Sequence, residues 1–408
     1  MRLSTSWMYQ QSTSTMLSQQ SALAATQNQV TTGRRINVAS DDPGGAGQMI
    51  TLNHVLASNA QYSSNIDSAT TRLSSEQTAL SSVSNLLDSV RSIAIQGING
   101  TLNSGDRAGM ATQLGQLRNQ LVQLANASDS NGNALFAGTS STTSPFVKGS
   151  SGAVGYVGND ATQMASAGAG LQVATSDPGS GLFMDIPAGN GTFAATAGTA
   201  NAGTLVVGAN SVTDPVAWSS ASGTSGGGYQ ISFATGGRWT ATDASGNPVR
   251  DGGGNPVGGT YQDGGSISFN GMSISMSGTP AAGDTINIQA GGKQDIFATL
   301  GNMITALQGN GSTTQLANTL SRQLESLDQT ASSVTGTVVS VGGRLNTIGQ
   351  QQGAYKDLAV TYQSALSGVR DVDVYTAIGN LSSQSAALQA SQQVFAQLKS
   401  MTLFNYIK

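Results

Sequence analysis

Reactive side chains are few in this chain, and their spacing gives them little to do. His54 is the only histidine, and there is no cysteine. A two-histidine metal site, a thiolate metal site and a Ser-His-Asp relay each need more than that. His54 lies among polar residues of a helical stretch and reads as solvent-exposed. No GxxxxGK[ST] run occurs, and no GxGxxG follows a strand and opens a helix, so phosphate cradles are missing too. The octapeptides DASGNPVR (243–250) and DGGGNPVG (251–258) place Asp243 and Asp251 in Gly- and Asn-rich turns. A calcium loop needs more carboxylates and a closing Glu. With two acids and no Glu, the pair reads as two successive hairpin turns. The expectation is a chain with no catalytic residues, no metal ligands and no cofactor: not an enzyme.

Charge does cluster in two places. Only 9% of residues are charged, against about 25% in an ordinary globular protein. Yet Arg34, Arg35, Asp41 and Asp42 fall within nine residues, and Arg370, Asp371 and Asp373 within four. Asp41 or Asp42 suits the N-cap of a helix with Pro43 in its first turn. If the two clusters meet, Arg34 or Arg35 would pair with Asp371 or Asp373, and Arg370 with Asp41 or Asp42. The bland alternative is that these charges cap helix ends and face water. Exposed pairs contribute only about 0–1 kcal/mol each, so the expected role is to set an angle and a register.

The elements that carry these clusters are helices. Leu327, Ala331, Val334, Val338, Val341, Leu345, Ile348, Gln352, Tyr355, Ala359, Tyr362, Leu366 and Val369 step alternately by four and three. That is the seam of a helix that faces a partner. Leu316, Leu320 and Leu324 extend it upstream, and the strict part alone spans about 65 Å. At Val369 the register breaks beside Gly368 to Asp373. The next seam, Val374, Ile378, Leu381, Leu388 and Phe395, is out of phase. Residues 370–408 therefore read as a joint and a separate helix.

The N-terminal side mirrors this. Residues 1–30 are a polar helical stretch with Leu3, Trp7, Leu17 and Ala24 at heptad-compatible positions. Gly33 to Gly47 is a joint. A second rod repeats Leu52, Ile66, Leu73, Leu80 and Leu87, and a third helix carries Met110, Leu114, Leu117, Leu121 and Leu124. Ala134 to Ala137 reads as a short strand after the Asn131-Gly132 turn. Of the 53 glycines, 32 then fall between Gly149 and Gly292, where helical periodicity gives way to short alternating runs. Tyr229–Phe233, Arg238–Thr242, Ser266–Phe269, Met272–Met276 and Asp284–Ile288 read as strands.

The fold class expected is mainly α with an inserted β domain. Long antiparallel helical rods carry paired N- and C-terminal coiled-coil helices and a Gly-rich β domain. Its parts are 1–45 (helix and joint, pairing with 370–408), 46–139 (rod), 140–290 (β domain), 291–369 (rod) and 370–408 (terminal helix). Residues 145–262 read as dispensable to the rods. The weakly apolar ends read as unstructured in the lone chain and helical on assembly.

Composition closes off other classes. A net charge of -4 argues against nucleic acid, which needs a basic patch. No apolar run approaches the roughly 20 residues of a membrane helix. MRLSTSWMYQQ lacks the apolar core of a cleaved signal peptide.

The ends carry a resemblance. TTGRRINVASDDPGGAGQ is similar to the N-terminal motif of the flagellin family. MRLSTSWMYQQ resembles the hook–filament junction branch of that family, as does DVDVYTAIGNLSSQSAALQASQQVFAQLKSMTLFNYIK. Val341 to Asn346 (VGGRLN) resembles a joint in the family's C-terminal rod. Phe269 to Met272 and Gly278 to Asp284 look like a segment of hook-associated junction proteins. The likeness covers about 1–138 and 264–408. It implies terminal helices in an inner tube, rods around them and a β domain facing solvent. It implies export without a cleaved signal peptide to the extracellular flagellum, and assembly at the hook end as the ring on which filament grows. Partners would be copies of itself, a neighbouring hook-associated junction protein, flagellin and an export chaperone. The assembly interface would include Leu3, Trp7, Leu17, Leu381, Leu388, Phe395, Leu398, Leu403, Phe404 and Tyr406. The joint would comprise Arg34, Arg35, Ile36, Asn37, Asp41, Asp42, Arg370, Asp371 and Asp373. Filament flagellin itself, or an adhesin displayed on the β domain, are the other readings.

Overall fold

The computed structural model describes residues 5–140, 143–225 and 227–400. Its helices are α1 (Thr5–Thr32), α2 (Pro43–Gly97), α3 (Ser104–Ala125), α4 (Pro215–Ser225), α5 (Ile296–Gln308), α6 (Thr313–Arg370) and α7 (Val374–Ser400). The fold is mainly α, with β structure inserted between Phe146 and Gln294. Two compact units emerge, Met1–Ser64 with Gln350–Lys408, and Asn65–Gly349. Helices α2 and α6 contribute residues to both.

In the first unit α1 packs along α7. The inward row of α1 is Tyr9, Ser12, Met16, Gln19, Leu23, Thr26 and Val30. It has heptad spacing, but every second position is polar. Thr26 is buried without penalty because its hydroxyl donates to the Ala22 carbonyl at 3.0 Å. The facing row of α7 is Ala377, Leu381, Gln384, Leu388, Ser391 and Phe395. Tyr9 meets Phe395 edge to face, with centroids 6.0 Å apart. Of the ends expected to be unstructured in the lone chain, Thr5–Thr32 and Val374–Ser400 form helices here, each supplying the other's apolar contact; residues 1–4 and 401–408 lie outside the described residues.

In the second unit the seam of α6 is sharper than its heptads imply. Leu320, Leu327, Val334, Val341 and Ile348 are essentially sealed from solvent, while Leu324, Ala331, Val338 and Leu345 are half-exposed. On α2, Ile66, Leu73, Leu80 and Leu87 are buried in the same way. Helix α3 packs on α5 after a capping box in which Asn103 and Asp106 satisfy each other's backbone N–H groups.

The β region contains a five-stranded sheet in the order Gly258–Thr260, Arg238–Asp243, Tyr229–Phe233, Thr285–Ala290, Phe193–Ala197. A three-stranded sheet runs Ser266–Phe269, Met272–Ser277, Val206–Val212. Phe193, Ile231, Phe233, Ile267, Ile274 and Ile286 belong to one shared core. The alternation of Tyr229–Phe233 is read out directly: its odd positions are buried. Ala134 to Ala137 is not a strand. Ala134 makes one bridge to Ser128, and the next residues turn, with Leu135 and Phe136 plugged into the core.

Three loops share one local design. In each, an Asp Oδ1 accepts the backbone N–H groups two and four residues on: Asp129, Asp243 and Asp251. The tandem octapeptides also close on the strand before them. Val249 N–H donates to the Ala241 carbonyl, Val257 to Val249, and Ala241 back to Val257, at 2.9, 2.8 and 3.2 Å.

Candidate functional site

The joint is built where α1 and α6 end. Gly33 follows α1 with φ +66°, the left-handed conformation that glycine adopts without strain. This turns the chain back toward the end of α6. Val372 N–H then donates to the Gly33 carbonyl at 3.0 Å, and Arg35 N–H to the Arg370 carbonyl at 2.7 Å. Arg34 and Asp371 face each other as an antiparallel bridge.

Side chains finish the closure. Arg35 Nη2 donates to the Val369 carbonyl at 2.8 Å, one of the acceptors that the end of α6 leaves open. Its Nη1 reaches Asp42 Oδ2 at 3.1 Å. Asp42 Oδ1 accepts Gly45 N–H at 2.9 Å and so caps α2. Asp41 Oδ2 accepts the N–H groups of Asn37 and Val38, both at 3.0 Å. Asn37 Nδ2 donates to the Arg34 carbonyl at 3.3 Å. Ile36 is buried beneath α2. Asp373 caps α7 by accepting Tyr375 N–H at 3.1 Å and the Thr376 hydroxyl at 2.7 Å.

The carboxyls respond to these donors. Backbone N–H groups of Val38 and Asn37 hold Asp41 below the usual carboxylate range. Gly45 N–H, then Arg35, does the same for Asp42. Arg370 and the Ser367 hydroxyl lower Asp371, and Thr376 lowers Asp373.

The expected ion pairs across the joint are replaced by local ones, Arg35–Asp42 and Arg370–Asp371. Asp42 and Asp373 are committed to capping and Asp41 to the Asn37 and Val38 N–H groups, so the crossing is made by backbone and by Arg35 on a carbonyl, with Arg34 adding only its charge opposite Asp371. The two clusters meet, through different atoms than their charges suggested.

Comparison with known proteins gives this arrangement its context. The bacterial flagellin N-terminal helical region matches residues 3–141. Flagellar hook-associated protein 3 of Salmonella typhimurium is 37% identical over 152 residues, covering 37% of this chain and 48% of that protein. The match thus spans about half the length of that curated relative. The crystal structure of FlgL from Xanthomonas campestris is 30% identical, with TM-score 0.69, covering 78% of this chain and 99% of that one. Hook-associated protein-3 from Legionella pneumophila is similar at 30% identity and TM-score 0.71, covering 78% and 98%.

The chain belongs to the FlgL family of flagellar hook-associated proteins.

Within this FlgL-family chain, the proposed interface residues fall into three groups. Leu381, Leu388 and Phe395 lie on the half-buried row of α7 toward α1. Trp7 and Leu17 point away from α7, 54% and 62% exposed. Leu3, Leu403, Phe404 and Tyr406 lie outside the described residues, as does the side chain of Leu398. Val374 and Ile378 are half-exposed, and Tyr375 is 92% exposed at the first turn of α7. The sequence reading passed over Tyr375 because it lies off the seam. It also passed over the row Tyr9, Met16, Leu23 and Val30, whose spacing of seven was visible but interleaved with Ser12, Gln19 and Thr26. His54 is exposed. Among the described residues no three acidic or histidine side chains gather as a metal site.

Proposed function

We propose that this chain is a structural component of the bacterial flagellum, the junction between hook and filament on which flagellin polymerises. The observation that carries the reading is the α1–α7 pair in a FlgL-family chain. Among the described residues of its two helices only Thr26 and Ala377 are buried, while Trp7, Leu17, Tyr375 and Val394 are left open. Such an apolar surface favours a partner. Copies of the same chain in a ring would cover it, with a neighbouring hook-associated junction protein below and flagellin above. Export to the cell exterior, with a chaperone holding the ends, belongs to the same reading.

The test is complementation of a strain lacking its hook-associated protein 3. The chain should restore filaments on hooks, and the double variant Trp7→Ser/Tyr375→Ser should not, although its melting as a monomer is unchanged. Long filaments formed by the purified chain alone would favour flagellin instead. Full motility with both anchors removed would overturn the proposed surface.

A further inference from the structure

Glu76 of α2 is sealed from solvent, 0% exposed. Its Oε1 accepts the backbone N–H of Asp177 at 3.0 Å. No N–H group donates to its buried Oε2, and the side chain within hydrogen-bonding reach of this carboxyl is another carboxyl, that of Asp177. A charged oxygen there would give up its hydration without compensation.

The charged groups that face Glu76 from other elements are Asp177 and Arg344 of α6. Arg344 is already committed to Asp177: its Nη2 donates to both carboxylate oxygens at 2.8 and 2.7 Å. Its Nη1 donates to the Ala174 carbonyl at 3.3 Å. On α2 itself, Arg72 lies one turn earlier. It is taken up by Asp129 at 2.8 Å and by the Thr175 and Ala134 carbonyls at 3.1 and 3.0 Å. The cluster therefore has two carboxyls for one available guanidinium, and the guanidinium belongs to Asp177. Burial, then the charge of Asp177, pushes the Glu76 carboxyl up to about 8.

What these side chains grip is a strap. Residues 174–179 leave the strand Leu171–Ala174 and pass over the helices with Thr175 and Ser176 buried. Arg72, Glu76 and Arg344 each hold one of its backbone groups, and Gly179 N–H donates to the Phe136 carbonyl at 3.0 Å.

We propose that Glu76 is a proton-dependent latch: neutral, it holds the strap 174–179 on α2 and α6, and its ionisation lets the strap go.

The direction in pH follows from linkage. A carboxyl whose folded-state value is raised contributes fully where both states are protonated, and that contribution is lost as pH rises. The window opens at the ordinary value of 4.5 and closes at about 8. Inside it the folding equilibrium constant falls by up to about tenfold per pH unit.

The experiment is urea unfolding of the full chain from pH 4.5 to 9, with hydrogen exchange of residues 171–179 followed alongside. The parent should lose stability through the window and lose protection in the strap first. Glu76→Gln keeps the shape without the titration, so its curve should be flat relative to the parent. Asp177→Asn frees Arg344 for Glu76 and should move the loss to lower pH. Equal slopes in parent and Glu76→Gln would overturn the latch. Should the Gln variant fail to fold, an Asp177→Asn slope unchanged from the parent would overturn it equally.

Discussion

Gly45 and Ile36 cannot both carry a side chain at their point of contact. A Cβ on Gly45 would lie 2.5 Å from Ile36 Cδ1 and 2.6 Å from Asp42 Oδ2. Ile36 is the buried plug of the joint, and Asp42 caps α2. Gly45→Ala should therefore displace both and cost about 1–3 kcal/mol, read as a lower urea midpoint. Adding Ile36→Val to that variant should recover part of the loss. Additive effects of the two changes would show that the contact is unimportant.

Tyr9 and Phe395 should behave as a coupled pair. Phe395 is half-buried, so its truncation costs less than the roughly 3–5 kcal/mol of a fully packed site. The edge-to-face contact should appear as a coupling of about 0.5–1.5 kcal/mol in a cycle of Tyr9→Ala and Phe395→Ala. No coupling would mean that α1 and α7 do not pair in the lone chain.

Removing residues 145–262 should damage the rods rather than leave them untouched. The cut would strip Thr285–Ala290 of two neighbouring strands and Met272–Ser277 of one. It would expose Phe297, whose ring packs on Phe146 at 5.6 Å. It would also take Asp177 from Arg344 and Asn210 from Glu325, leaving Glu325 with Arg322 alone. A cooperative, fully helical deletion product would contradict this.

Gly336 offers a gain. It lies exposed within α6, and a Cβ there would meet nothing within 4 Å. Gly336→Ala should stabilise by about 0.5–1 kcal/mol. A raised melting temperature with lost complementation would place this face in an interface with another molecule.

Much of this was legible from residue types. Long seams such as Leu320 to Ile348 declare themselves, because a sealed helix face repeats the same demand at every turn. The joints were visible because Gly33, Pro43 and the capping Asp residues each have a local physical reason to be there. Less legible was everything set by distant partners. The β segments between Phe146 and Val212 are short and Gly-rich, and their strand character comes from neighbours far along the chain. The polar row of α1 was hidden because Trp7 and Leu17, as apolar as Met16 and Leu23, lie on the exposed side of the same helix. Arg35 carried the right charge for an ion pair across the joint, but a helix-terminal carbonyl was the nearer acceptor.

The circuit of Ala241, Val249 and Val257 sets an arithmetic for the chain. Each residue donates to one of the other two, and the last returns to the first. A row of repeats could grow by another eight residues, but a closed triangle has no open end at which to add one. The octapeptides are thus counted rather than merely copied, and a duplication or loss of one unit would break a ring instead of lengthening a loop.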